Sequence, residues 1–387
     1  MPDDAAPPLS AKIPPEALPR SEAARLDWLR LWRSRRVGPA TFIRLIREYG
    51  SARGALDALP AIAAEAGVSG YAPAPRAVIE EEWRVAEAAG ARPLLLGAED
   101  YPRLLATIPD PPSFLWAIGD IALGQRDGVA VVGARNASAL GCRMAARLAR
   151  ELGEAGFVIT SGLARGIDAA AHRAALETGT IAVQAGGVDV VYPPENAELA
   201  GRIAETGLRL SEMPMGHPPR PQDFPRRNRV VSGLALGLVV VEGATRSGSL
   251  ITARAALDQG REVMAVPGSP MDARAGGCNQ LIRDGATLVR DAADVLEAIA
   301  SGVAAPPSAR PSPRTTRAPV EAPVPMPVPE GDAAERLFDL IGPTPVTEDA
   351  LTRAVGLPAA RVAALLLDLE LQGLIRRHPG ATISRET

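Results

Sequence analysis

Lysine is all but missing from this chain: Lys12 is the only one among 42 basic residues, the rest being arginine. Aromatic side chains make up 3% of the 387 residues, and cysteine occurs only at Cys142 and Cys278. Two cysteines exclude a disulfide framework and a zinc site of the cysteine type, and they fit a reducing cytosol. No apolar run approaches the roughly 20 residues of a membrane-spanning helix. The opening MPDDAAPPLSAKIPPEALPR has no apolar core of the kind a secretory signal carries. The expectation is a soluble, cytoplasmic protein without membrane contact. Charge of one sign is not in surplus either: 45 acidic residues stand against 42 basic ones, so net charge points to no partner.

What is abundant is Ala, Gly, Pro and Arg. That bias reads as a preference of the whole genome, so an arginine cluster counts here by its position and not by its size. The length suggests two or three domains of about 150 residues each.

Residues 1–20 are Pro-rich and polar, and disorder is expected there. From 21 to 92 the pattern is of short helices, with Leu26, Leu29, Leu31, Phe42, Leu45 and Ile46 at helical spacing. RVGPATFIRLIREYG (36–50) sets a Gly-Pro turn before an amphipathic helix, which resembles a SAM-like or helix-hairpin-helix module. Such a turn can hold a DNA backbone through its amides, or it can simply join two helices of a bundle. From 93 to 301 short apolar runs alternate with helical stretches, the mark of βα units. Strands are expected at 129–132, 157–160, 181–185, 208–211, 238–242 and 263–267. They predict an α/β, Rossmann-like, doubly wound and mostly parallel sheet. Residues 302–331 form a Pro-dense linker, and 332–387 read as three helices and a turn, a winged-helix-like domain. Its third helix sets Arg361 against Asp368 and Glu370, which suits a protein contact better than a DNA groove.

Ligands of open α/β sheets sit outside the carboxyl ends of the strands. The segments there are GARNAS, SGLARGID, GGVD, EMP followed by FPRRNRVVSG, GATRSGS and GSP, and Gly, Ser and Arg recur in nearly all of them. Small residues let backbone amides approach an anion, a following helix adds positive potential, and arginine adds paired hydrogen bonds to phosphate. Converging on one rim, these features predict a phosphate site. A dinucleotide is disfavoured because GARNASALG lacks the G-x-G-x-x-G spacing and no acidic residue closes the second strand; a P-loop is absent. His172 follows Asp168 by four positions and could form an acid–base pair, but no nucleophile is spaced to join it, and a structural hydrogen bond is preferred. Glu212 and Glu242 are read as partners of neighbouring arginines, and His217 and His378 as solvent-side residues.

VVGARNASALG, VITSGLARGIDAAAHRAAL, IAVQAGGVDVVYPPEN, LSEMP, FPRRNRVVSGLA, VVVEGATRSGSLITARAALDQGREVMAVPG and GCNQLIRDGATLV follow in order between about 128 and 290. Together they closely resemble the DNA-processing protein A family (DprA, also called Smf), whose flanking domains agree in kind with those read here. The resemblance implies a single-stranded DNA binding protein that is not an enzyme. It implies that the protein shields the strand in natural transformation, loads RecA recombinase onto it and works as a homodimer, without metal or cofactor. The implied DNA pocket takes Gly133 and Arg135, then Ser161, Gly162 and Arg165, then Phe224, Arg226, Asn228 and Arg229, and Ser247 and Gly248, with Arg227 and Arg246 as further members. Arg226 and Arg229 are expected to hold phosphates and Phe224 to stack a base; the other reading is that these arginines pair with Glu212, Asp223 and Glu242 and staple a loop. Ala134, Leu140 and Ala174 depart from the family's usual Ser or Thr, aromatic and Gly. The dimer edge is expected near 277–290. The rival class is a phosphoribohydrolase-like enzyme on a related Rossmann variant, but VEGATRSGSLITA lacks the Glu of its PGGxGTxxE motif. A purely structural adaptor is the third possibility.

Overall fold

The computed structural model describes residues 13–304, 333–341, 346–372, 374–378 and 382–385. The chain divides into two compact units, Met1–Ser308 and Ala309–Thr387. The disorder expected for 1–12 and most of the 302–331 linker lie outside the described residues.

The first unit begins with four helices, α1 (Glu22–Arg33), α2 (Pro39–Tyr49), α3 (Ala52–Glu65) and α4 (Arg76–Ala88). Ser21 and Ser51 cap α1 and α3 by accepting from the amides of Ala24 and Gly54. Pro39 opens α2 and Gly50 closes it in the left-handed region, φ 68°. Trp28, Leu29, Leu31, Phe42, Leu45 and Ile46 fill the core between them. Burial of each such side chain stabilises by about 1.5–3 kcal/mol. Residues 13–20 are ordered, contrary to expectation. Ile13 and Ala17 are 3% and 6% exposed around a turn at Pro15–Ala17, because two apolar side chains in a Pro-rich segment suffice to dock it.

The sheet holds β1 (Arg92–Leu95), β2 (Phe114–Gly119), β3 (Gly128–Val132), β4 (Val158–Ser161), β5 (Thr180–Val183), β6 (Leu208–Ser211), β7 (Gly237–Val240), β8 (Glu262–Ala265) and β9 (Thr287–Leu288). Their order is β1-β2-β6-β5-β4-β3-β7-β8-β9, parallel from β6 to β9, with β1 and β2 antiparallel at one edge. All six expected strands are present. β1, β2 and β9 were not foreseen: β1 carries Pro93, tolerated at an edge, and β9 has two residues. Between the strands lie α5 (Arg103–Ala106), α6 (Ala139–Glu154), α7 (Ile167–Ala174), α8 (Ala197–Thr206), α9 (Asp223–Gly233), α10 (Gly248–Asp258) and α11 (Gly276–Arg283); α12 (Ala292–Ala304) follows β9. Strand side chains alternate between the faces. Val129 and Val131 share one core with Leu148 of α6 and Ala171 of α7, and Ala130 and Val132 share the other with Val230 of α9 and Ala253 of α10.

The strand order departs from β3 in both directions, so the topological switch point lies between β3 and β7. That is where a doubly wound sheet offers its crevice. FPRRNRVVSG is not a loop, as expected, but most of α9, and this decides which of its residues face the crevice.

The second unit, taken by itself, holds α13 (Ala333–Leu340), β10 (Val346–Thr347), α14 (Glu348–Val355), α15 (Ala359–Leu371), β11 (Ile375–His378) and β12 (Thr382–Arg385). The strands form a small antiparallel sheet in the order β10-β12-β11. Leu337, Ile341, Leu351, Val362, Leu366, Ile375 and Ile383 make its core. This is the three-helix and wing arrangement expected.

Candidate nucleic-acid interface

Two adjoining hollows open at the carboxyl ends of the parallel strands. The larger, about 600 Å³, lies at the switch point, between the segment after β3, the start of α10 and one side of α9. The smaller, about 370 Å³, lies over β4 and β5 and reaches Arg165, Gln184 and Gly186. Arg135, Gly162, Tyr192, Phe224 and Arg227 border both.

Close backbone approach explains the glycines. A Cβ on Gly133 would lie 2.6 Å from Cγ1 of Ile167, and one on Gly162 would lie 2.5 Å from the Arg227 guanidinium. No larger residue fits either place unless its neighbour moves.

Arg227 forms the floor. It is 7% exposed and donates to the carbonyls of Gly162 and Val183 and to Oδ1 of Asn228. Burial lowers its pKa to about 10, so it still carries its charge at neutral pH; Asp168 opposes the shift and Arg135 adds to it. Asp168, buried below, accepts from the amides of Gly162 at 3.1 Å and Ala164 at 3.3 Å, and burial raises its pKa. Arg135 is exposed, and its guanidinium lies 4.9 Å from the centre of the Phe224 ring. The Tyr192 ring packs edge-to-face with the same ring, their centres 5.9 Å apart. Asn228 lines the larger hollow, its Nδ2 3.5 Å from the Gly248 carbonyl. Ser247 and Gly248 bring the amino end of α10 to the wall, with no side chain capping it. Arg165 lines the smaller hollow and pairs with Glu195, both well exposed.

Four of the expected residues lie elsewhere. Ser161 is fully buried and donates to the Val131 carbonyl at 2.6 Å. Arg246 lines neither hollow but borders a groove next to the larger one, with which it shares Ser247 and Ile251. Arg226 and Arg229 point from the other side of α9 to Glu212, at 3.2 Å and 2.7 Å, and Arg229 also meets Asp110. The cause is helical: positions 224, 227 and 228 share one face, whereas 226 and 229 fall on another. For Arg226 and Arg229 the pairing with Glu212 that was held as the alternative is what the structure shows.

Glu242 was expected to pair with arginine, but both its oxygens take Ser138 instead. Oε2 accepts from the amide at 2.9 Å and Oε1 from the hydroxyl at 2.5 Å. A carboxylate thus occupies the amino end of α6, the first helix of the doubly wound unit, where a dinucleotide would set its phosphates. Asp223 likewise takes His217 at 2.9 Å and the Arg220 amide, so His217 is not merely a solvent-side residue. The side chain of His378 lies outside those described. Asp168 and His172 do not pair: His172 is fully buried with Nδ1 2.7 Å from Oγ1 of Thr180, and burial lowers its pKa to about 3. It is a structural residue, as preferred.

Sequence reasoning missed Tyr192, Asn136 and Gln184, which also line the smaller hollow. An aromatic at a carboxyl-end segment of so aromatic-poor a chain, VYPPEN, was the available signal. Among the described residues no group of three or more His, Cys, Asp or Glu side chains could hold a metal, and no helix is long and apolar enough to cross a membrane.

Comparison with known proteins places this geometry. The family described as DNA recombination-mediator protein A matches residues 92–300. A DprA-like N-terminal HHH domain matches 22–85 and a DprA winged helix domain 303–381. The DNA processing protein DprA of Bacillus subtilis is 44% identical over 215 residues, 54% of this chain and 72% of that one. The X-ray structure of DNA processing protein A from Streptococcus pneumoniae superposes with a TM-score of 0.52 at 39% identity, over 60% of this chain and 84% of its own. That of Helicobacter pylori, described for its single-stranded DNA binding mode, gives 0.50 at 29%, over 55% and 96%.

Proposed function

Because the chain belongs to the DNA recombination-mediator protein A family, we propose that it binds single-stranded DNA across the two hollows of its sheet and serves DNA processing as a binding protein, not as an enzyme. The observation that carries the reading is the rim itself. Arg135, Arg165 and Arg227 lie around Phe224 and Tyr192 at the end of the sheet where ligands are held. Guanidinium groups and the amino end of α10 hold phosphates without reading sequence. Phe224 and Tyr192 offer faces to bases, worth about 1–3 kcal/mol per stacked base. In the free protein the Arg135 guanidinium covers Phe224, so an entering base displaces it and frees it for the backbone. Gly133, Gly162, Asn228, Ser247 and Gly248 complete the contact surface.

A gel-shift titration of single-stranded against duplex DNA tests this. Binding of the single strand at lower protein concentration supports the reading; no binding of either contradicts it. Release of free base from nucleoside monophosphates would instead favour the phosphoribohydrolase-like alternative.

The finer reading is of a cytoplasmic homodimer that protects incoming strands in natural transformation and passes them to RecA. The family's description as a recombination mediator supports the transfer. The open edge of the sheet supports the dimer: Leu288 of the edge strand β9, within the 277–290 segment, is 41% exposed. Light scattering of Leu288→Arg should report half the mass of the unsubstituted protein, and an unchanged mass would remove this edge from the interface. The domain division at 21–92, 93–301 and 332–387 is part of the same proposal.

A further inference from the structure

Glu212 stands where three parts of the first unit meet. It follows β6, is 5% exposed, and gives its two carboxylate oxygens to Arg226 and Arg229 on the back of α9. Its backbone carbonyl accepts from Nη1 of Arg33, the last residue of α1, at 2.9 Å. Arg33 is gripped in turn by Glu82 of α4, with Nη2 to Oε1 at 2.8 Å and Nε to Oε2 at 3.1 Å. Oε1 of Glu82 also accepts from the indole of Trp116, on β2, at 2.7 Å. A continuous line of charge-assisted hydrogen bonds therefore runs from the N-terminal helices to the back of α9, whose front carries Phe224, Arg227 and Asn228. Arg33, Glu82 and Glu212 line neither hollow.

α9 has little to hold it in place by itself. No side chain caps its start, Pro225 lies in its first turn and Gly233 ends it. Helices of this length take their stability from what they pack on. Arg226 and Arg229 are its ties on the side away from the hollow.

We infer that Arg33, Glu82 and Glu212 are positioning residues of the candidate site, through which the N-terminal helical domain sets α9 against the strand that binds there. The inference rests on the single-stranded DNA reading above. It is tested on the full chain by fluorescence anisotropy of a labelled dT oligomer over a salt series. The unsubstituted protein reports on that reading alone: if it does not bind, the reading fails. If it binds, Glu212→Gln and Arg33→Ala should each weaken affinity by about fivefold to twentyfold, a coupling of ordinary size, with the salt slope unchanged because no phosphate contact is lost. Arg33→Lys should recover part of the loss, which a change in fold stability alone would not produce once the binding-competent fraction is measured by stoichiometric titration. Glu82→Gln gives a second reading if Arg33→Ala does not fold. Affinities equal to the unsubstituted protein overturn the inference. So does tighter binding with a steeper slope in Glu212→Gln, which would make Arg226 and Arg229 phosphate contacts that Glu212 masks.

Discussion

The two sides of α9 carry arginines of opposite circumstance. Arg227, on the side of the hollows, is buried without a carboxylate bound to it and spends its hydrogen bonds on the Gly162 and Val183 carbonyls and Asn228. Arg229, two positions on, is nearly as enclosed but lies 2.7 Å from a Glu212 oxygen. The first leaves positive potential in the cavity floor; the second is neutralised. Three arginines within four residues thus divide between the hollows and the back of the helix by helical phase alone.

Substitutions break this comparison in order of size. Arg227→Ala should do most. It strands two buried carbonyls, lowering unfolding free energy by about 2–4 kcal/mol, and single-strand affinity should fall about a hundredfold, read by denaturant titration and anisotropy. Arg135→Ala, at an exposed position, should leave stability within about 0.5 kcal/mol while affinity drops about tenfold. Unaltered affinity would remove Arg135 from the rim.

A pH series extends the contrast to α7, where buried His172 stays neutral. In the unfolded chain it gains its proton near pH 6.5, whereas in the folded protein its pKa is lowered to about 3. The unfolded state therefore binds the extra proton as pH falls below 6.5, and stability drops by up to about 1.4 kcal/mol per pH unit. His172→Asn, which can still reach Thr180, should lose that added slope in urea unfolding between pH 6.5 and 5. The smallest effect belongs to Arg226→Ala: its guanidinium is mostly exposed and its tie to Glu212 is 3.2 Å long, so affinity should stay within about twofold, as for surface pairs generally.

Much of the fold was legible because buried parallel strands are written as short runs rich in Val, Ile, Leu and Ala, though β6 interrupts its own with Arg209. The Pro-containing edge strand β1 lacked that signature, and β2 hid among prolines. Of the candidate site, Gly133, Gly162 and Arg135 could be placed on the rim because the strands they follow were legible. Arg226 and Arg229 were misplaced because FPRRNRVVSG looks like loop: Pro225 and Asn228 are weak helix formers, and only docking on the sheet makes α9 helical. Tyr192 was overlooked because no arginine or glycine stands beside it in VVYPPEN.

The central claim is that the strand is gripped on the hollow side of α9 and not on its back. It is tested most directly by plotting log affinity against log salt for the unsubstituted protein, Arg135→Ala and Arg226→Ala side by side. With Arg135, Arg227 and an Arg165 released from Glu195 as the contacts, the slope should be near −2, at about −0.7 per contact. Arg135→Ala should flatten it by about 0.7 and Arg226→Ala should leave it unchanged. A slope that flattens for Arg226→Ala and holds for Arg135→Ala would contradict the account.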